Sequence, residues 1–302
     1  MELSRHLRRL HEATIWCYQG NTLEPATEPA AWASLALGSH GDRLAALRPA
    51  RWLAEQQQAN GAVGVSRKLQ TPRWPTSLAM LAWYFADQWN EADNFELPLK
   101  KATEWTLQDH GRAGPVSRQA GHDTTLAGWS WAADTHSWME PTCFFVKALT
   151  QLGLAKHPRV QTGVRMIVDR LLPAGGCNYG NTFVLGQELL PHVQPTGIAM
   201  WALADHPTDD PRVTASLDYL LRKIEADSSA ASLSFALLGL TAHDQRPSKA
   251  NELVLRKLKH LDEIGSKATY PLSLLLLAAH EQPFVPKRNV AANLDEQTVS
   301  AG

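Results

Sequence analysis

Six times along the chain the same spacing returns. A proline is followed seven residues later by an alanine and then by an apolar residue, at Pro29/Ala36/Leu37, Pro75/Ala82/Trp83, Pro141/Ala148/Leu149, Pro195/Ala202/Leu203 and Pro271/Ala278/Ala279. A sixth copy, Ser229/Ala236/Leu237, keeps the alanine and not the proline, and Thr follows the proline in three copies (Thr76, Thr142, Thr196). Proline is favoured at the first helical position, where its missing N–H would have had no partner. Seven residues are two helical turns, so the alanine lies on the face of the proline and lets a neighbouring helix approach closely. The spacing predicts six helices, each starting close to one of these positions.

The segments after the prolines (Thr142–Leu152, Thr196–Ala204, Leu272–Ala279) are apolar nearly all round, as helices buried on every side are. Between them run amphipathic stretches. Val164, Ile167, Val168 and Leu171 fall on one helical face; so do Val213, Leu217, Leu220 and Ile224, and again Val254, Leu258 and Leu261. Buried and half-wet helices in alternation describe two layers. The expected fold is all-α, an α6/α6 toroid of six helical hairpins around a central cavity, forming one domain over 1–282 with a polar, flexible tail over 283–302. Glycine turns ending at Gly61, Gly111 and Gly176 are expected to close outer helices through left-handed backbone. One link, Gly111 to Glu140, is long, and long ordered loops in compact domains are commonly functional.

Charge narrows the function. With 29 basic and 30 acidic residues there is no field to hold a phosphate backbone, so no nucleic-acid partner is expected. The N-terminal residues lack the apolar stretch of a signal peptide, and the apolar run from Leu274 to Ala279 is too short to span a bilayer. Cys17, Cys143 and Cys177 have no disulfide-like spacing. A cytoplasmic protein is expected, with membrane association left open and no protein partner indicated.

Trp52-Leu53-x-x-x-Gln57-x-x-x-Gly61 resembles the QW motif of squalene–hopene and related terpene cyclases, with Val63 in place of its final aromatic. Weaker copies stand at Trp105…Gln108…Gly111 and Leu171…Gly175-Gly176. Over roughly residues 28–280 the chain is similar to proteins with prenyltransferase and squalene-oxidase-type repeats. The resemblance implies an α6/α6 ring and an apolar or isoprenoid substrate. Against the cyclase signature Asp-x-Asp-Asp-Thr-Ala stands Trp138-Met139-Glu140-Pro141-Thr142-Cys143. It implies Glu140 as the proton-donating acid, with Trp138 and Pro141 where the flanking carboxylates would be. The Asp-x-Cys zinc context of protein prenyltransferases and the Gly-Cys-Gly-Glu-Gln thioester motif of complement-like rings do not occur in the sequence.

The residues by themselves point to the rim where the inner helices begin, because free N–H groups and helix dipoles favour carboxylates or phosphates there. Glu28 and Glu140, each directly before a proline, are either N-caps or functional acids. His136 is within reach of Glu140 by chain distance, and a His–carboxylate pair is a serviceable acid/base couple. Trp129, Trp131 and Trp138 in the long loop either line a pocket or plug the ring mouth. Cys177, Asn178, Tyr179 and Asn181 follow two glycines and offer neutral hydrogen-bonding groups. Cys177 with His192 as base is a further nucleophile reading. Cys143, Cys177 and His192 lack the short spacing of zinc ligands, so neither metal nor other cofactor is expected. Three readings stay open: a cyclase-like enzyme with Glu140 as acid, a non-catalytic ring binding a lipid, peptide or protein, and a carbohydrate-active α6/α6 enzyme.

Overall fold

The computed structural model describes residues 2–20, 24–90, 93–117, 119–224, 228–282 and 284. The tail expected over 283–302 lies, Phe284 apart, outside the described residues.

The proline–alanine copies become six inner helices: α2 (Thr27–Ser39), α4 (Thr76–Trp89), α6 (Met139–Gln151), α8 (Val193–Leu203), α10 (Ala230–Ala242) and α12 (Thr269–Ala279). Each starts within two residues of its predicted position. The prolines are not at the first helical position as expected. In α2, α6, α8 and α12 they stand third, and Pro75 directly precedes α4. The third position serves equally well, since the first four helical N–H groups all lack an intrahelical partner. Thr76, Thr142 and Thr196 explain their recurrence. Their hydroxyls accept the backbone N–H of Val63 (2.8 Å), Trp129 (2.9 Å) and Cys177 (3.0 Å), tying the preceding loop to each inner helix.

Neighbouring inner helices pack in sequence, α2 on α4, α4 on α6, α6 on α8, α8 on α10 and α10 on α12, and α12 packs back on α2. The six contacts form a closed cycle. The outer layer is α3 (Arg43–Glu55), α5 (Glu96–Gln108), α7 (Pro158–Asp169), α9 (Pro211–Lys223) and α11 (Ala250–Glu263). Its sixth member is α1 (Glu2–Glu12), which lies against α12, α2 and α11. The sixth hairpin therefore pairs α12 with α1 and is not made from consecutive helices. The only described strands, β1 (Phe183–Val184) and β2 (Gln187–Glu188), make one short antiparallel ladder. No described helix is long and apolar enough to cross a membrane.

The alanines behave as their spacing predicts: Ala36, Ala82, Ala148, Ala202, Ala236 and Ala278 are at most 1% exposed. Helices α8 and α10 approach most closely through glycine, where a Cβ on Gly197 would stand 2.5 Å from the carbonyl carbon of Phe235. Ala202→Leu and Gly197→Ala should each overpack the inner layer and cost roughly 1–3 kcal/mol. Thermal melts matching wild type would show that these positions have room to spare. Gly61 and Gly176 take the left-handed backbone expected of them (φ 93° and 79°). Gly111 does not, and is small for another reason: a Cβ there would meet Ser137.

The expected central cavity is filled. Trp32 on α2 reaches across the ring, its centroid 6.1 Å from Phe144 on α6, 6.0 Å from Trp201 on α8 and 5.5 Å from Phe235 on α10. None of those three helices is a neighbour of α2 in the cycle, so the cluster occupies the interior. All four rings are at most 2% exposed. The apolar faces that would line a cavity interdigitate, because large aromatics on opposed helices are long enough to meet.

Candidate functional site

The inner helices run the same way. Near their starts, Gln194 of α8 bonds Glu140 of α6, and Tyr270 of α12 bonds Glu28 of α2. Near their ends, His40 after α2 contacts the Leu276 carbonyl of α12 (2.8 Å), and Lys147 on α6 meets Asp205 after α8. The N-terminal rim is thus a real assembly, and its composition follows one rule. The residues directly before the five repeat prolines are Glu28, Trp74, Glu140, Gln194 and Tyr270, and four of them meet there in pairs, Glu28 with Tyr270 and Glu140 with Gln194.

Glu28 and Glu140 do not cap. Each stands second in its helix, behind the N-cap residues Ala26 and Trp138, which themselves make no side-chain cap bond. Both carboxylates turn inward and are nearly buried, at 8% and 6% exposure. Glu28 accepts from the Tyr18 hydroxyl (2.6 Å), the Trp32 indole N–H (3.3 Å) and the Tyr270 hydroxyl. Glu140 accepts from Gln194 Nε2 (3.1 Å). Burial raises the pKa of Glu28 against the pull of its three donors. Burial also pushes Glu140 up to about 7; Gln194 opposes this and the charge of Glu28 adds to it. The Tyr18 and Tyr270 phenols are raised in turn by burial and by Glu28. Tyr18 is placed by its neighbour: Cys17 donates its N–H to Thr269 Oγ1 (2.8 Å) and accepts the N–H groups of Thr269 and Tyr270 at the start of α12.

The loop that leads into α6 and the turn that leads towards α8 lie side by side. Met139 N–H bonds the Tyr179 carbonyl (2.9 Å), and Arg170 donates to the carbonyls of Ser137 (3.1 Å) and Gly180 (2.6 Å). Their residues separate into two groups. Tyr179 is exposed, lies tilted against the His192 ring at 5.2 Å, and has its phenol pKa raised by burial and by the charge of Glu140. Trp131 is half-buried, edge-on to Trp74 at 4.7 Å, and Trp74 stacks on Phe144. Together with Trp105, Asp109, Ser130 and Arg73 they line a groove of about 190 Å³ beside the rim.

The remaining residues hold the wall. Trp129 is fully buried, its indole N–H on the Thr106 carbonyl and its ring under the Arg159 guanidinium at 4.0 Å. Trp138 lies half-buried against the exposed His136 ring at 4.2 Å, and Glu140 takes its hydrogen bond from Gln194 and not from His136. Burial and then Arg170 lower the His136 pKa. Cys177 is fully buried beside Thr196, and burial pushes its thiol up to about 12, so it is no thiolate at neutral pH. His192 meets Cys177 only through its backbone N–H on the Cys177 carbonyl (2.9 Å), while its ring is turned to Tyr179. Asn178 bonds the Leu190 carbonyl (2.7 Å) and accepts the Tyr179 N–H, and Asn181 is half-buried next to Gly180. Among the described residues no three His, Cys, Asp or Glu side chains gather as metal ligands do.

Tyr18, Trp74, Gln194 and Tyr270 were not singled out by the sequence. The signal that marks three of them is the position before the repeat proline, already carried by Glu28 and Glu140.

By sequence the chain matches no family profile and no curated protein. By structure it is similar to alpha-2-macroglobulin of Salmonella reacted with methylamine (TM-score 0.54, 18% identity), covering 94% of this chain and 18% of that one. It is also similar to a protein from Actinoplanes (TM-score 0.57, 13% identity), covering 92% of this chain and 98% of that one. The likeness is one of fold. It supports the all-helical, toroid-like architecture, and it does not carry the cyclase activity that the sequence resemblance implies. The residues of the QW-like motif have structural work: Gln57 Nε2 donates to the carbonyls of Gly61 (2.9 Å) and Pro98 (2.8 Å), fastening the end of α3 to α5.

Proposed function

We propose that the chain is an acid–base enzyme whose site is the N-terminal rim, with Glu140 as proton donor, Glu28 as its partner carboxylate and an oligosaccharide as substrate. The observation that carries this reading is the pair of nearly buried carboxylates in one mouth. Burial and mutual repulsion make it costly for both to ionise, so the pair retains a proton near neutral pH. Two carboxylates that differ in their hydrogen-bonding surroundings are the usual equipment for glycosidic bond cleavage. The adjoining groove offers Trp74, Trp105 and Trp131 for stacking on sugar faces, and Asp109, Ser130 and Arg73 for hydroxyls. The isoprenoid reading lacks this support, since a polyene would have to lie where Trp32, Phe144, Trp201 and Phe235 meet.

The test is a panel of neutral and acidic oligosaccharides, followed by tryptophan fluorescence for binding and by reducing-end release for turnover. Wild type should bind and cleave one class, with kcat falling as pH rises through about 7, where Glu140 loses its proton. Glu140→Gln should retain binding and lose at least about a hundredfold in kcat, while Trp131→Ala should weaken binding. If no member of the panel is bound, or if Glu140→Gln turns over like wild type, the proposal fails.

A further inference from the structure

At the opposite end of the ring, where the inner helices finish, lies a cavity of about 690 Å³. Its lining includes Lys147 and Gln151 from α6, Trp201 near the end of α8 and Asp205 after it, and Thr241 near the end of α10 and Arg246 after it. Lys147 is the one buried lysine among the described residues. Its Nζ is 2.6 Å from Asp205 Oδ2 and 5.2 Å from the centroid of the Trp201 ring. Gln151 Nε2 donates to the same carboxylate oxygen at 3.3 Å, and the Asp205 side chain is 35% exposed. Arg246 is half-buried, donating to Thr241 Oγ1 (3.1 Å) and Asn251 Oδ1 (2.8 Å). Folding does not call for this arrangement. Taking an ammonium out of water costs several kcal/mol, and an apolar chain such as Met fills the same space without that cost. What the pair does supply is an amine with a proton acceptor in hydrogen-bonding contact, facing a cavity that also holds a guanidinium.

We propose that this cavity is a second site, in which Lys147 condenses reversibly with the carbonyl of a small 2-oxo acid whose carboxylate is held by Arg246. Asp205 accepts a proton from the Lys147 ammonium, and the freed amine attacks the carbonyl carbon while the C=O electron pair moves to oxygen. Proton transfer from nitrogen to that oxygen gives a carbinolamine. Asp205 then returns its proton to the hydroxyl, which leaves as water while the C=N bond forms. The products are a protonated imine, one water and the original Asp205 carboxylate. Burial lowers the proton affinity of Lys147, which assists the first step, and Asp205 opposes that lowering.

The experiment treats the full chain with pyruvate and sodium cyanoborohydride, which reduces an imine to a stable secondary amine, and locates the label by peptide mass spectrometry. Lys147 should be labelled on the order of tenfold faster than exposed lysines such as Lys100 and Lys259, because its base is already in place. Arg246→Gln should lower the rate with pyruvate towards that with acetone, and Lys147→Met should abolish the fast label. Label confined to exposed lysines, or equal rates at all of them, overturns the proposal. The position of the label in wild type decides this even if Lys147→Met does not fold. Glu140→Gln, which disables the N-terminal rim, should label normally, so the two sites stand or fall separately.

Discussion

Trp32→Ala should destabilise the protein by about 3–5 kcal/mol, the range for removing a fully buried large aromatic. The size of the effect follows from where the side chain ends. Trp32 touches rings carried by α6, α8 and α10, and its indole N–H bonds Glu28. Three helices across the ring from α2 cannot all move inward to close the gap, because each is fixed between its own neighbours in the cycle. The hole should persist as a dry cavity, and such cavities bind small apolar molecules. Addition of indole should therefore restore part of the lost melting temperature. A loss below about 1 kcal/mol, with no response to indole, would mean that the ring collapses around the gap and that the aromatic cluster does not brace it.

Glu140→Gln should make the protein clearly more stable at pH 8 and only slightly more stable at pH 5. The folded protein holds the Glu140 proton up to about pH 7, against an ordinary value of 4.5. A group whose pKa is raised by folding contributes stability that is complete below its unfolded pKa and is lost as pH rises through the folded one. The wild type therefore loses stability between about pH 4.5 and pH 7 from this group, and the amide does not. A difference of this size corresponds to up to roughly 3 kcal/mol, less whatever the α6 dipole returns to the carboxylate. Urea unfolding of both proteins at pH 5 and pH 8 measures it. An increment equal at the two pH values would show that Glu140 is ionised in the folded protein throughout, and would remove the proton donor from the proposed function.

The helices were legible because proline, alanine and a two-turn interval constrain one another locally, and the six starts are fixed within a turn. The sixth hairpin was not, since nothing in the short amphipathic stretch Glu2–Glu12 indicates that it pairs with a helix some 260 residues away. The interior was misread for a related reason. Trp32 and Phe144 stand four residues after Glu28 and Glu140, and Trp201 stands seven after Gln194. The pattern gives a shared face, but not that the rings meet across the axis. At the rim, Glu140 and its loop were legible through spacing and resemblance. Glu28 was open between capping and function, on an expected position two residues out of register, and its partners Tyr18 and Tyr270 were not singled out. Trp129 and Cys177 attracted notice as chemistry, whereas their backbone N–H groups are the partners of the repeat threonines.

The hairpin made from α12 and α1 has a consequence for how the chain comes into being. In an open stack of helical repeats each unit can settle on the one before it as it is synthesised. Here α1 has its place beside α12, some 260 residues later, and one side of α2 likewise waits for α12. The emerging chain carries the α12-facing flank of α2 uncovered until α12 has been made, although α3 and α4 cover its other sides early. Closure then comes in one late, long-range step, the kind of contact that slows folding. A ribosome stalled before residue 269 should therefore hold a protease-sensitive chain, and emergence of α12 should convert all of it to the resistant form together.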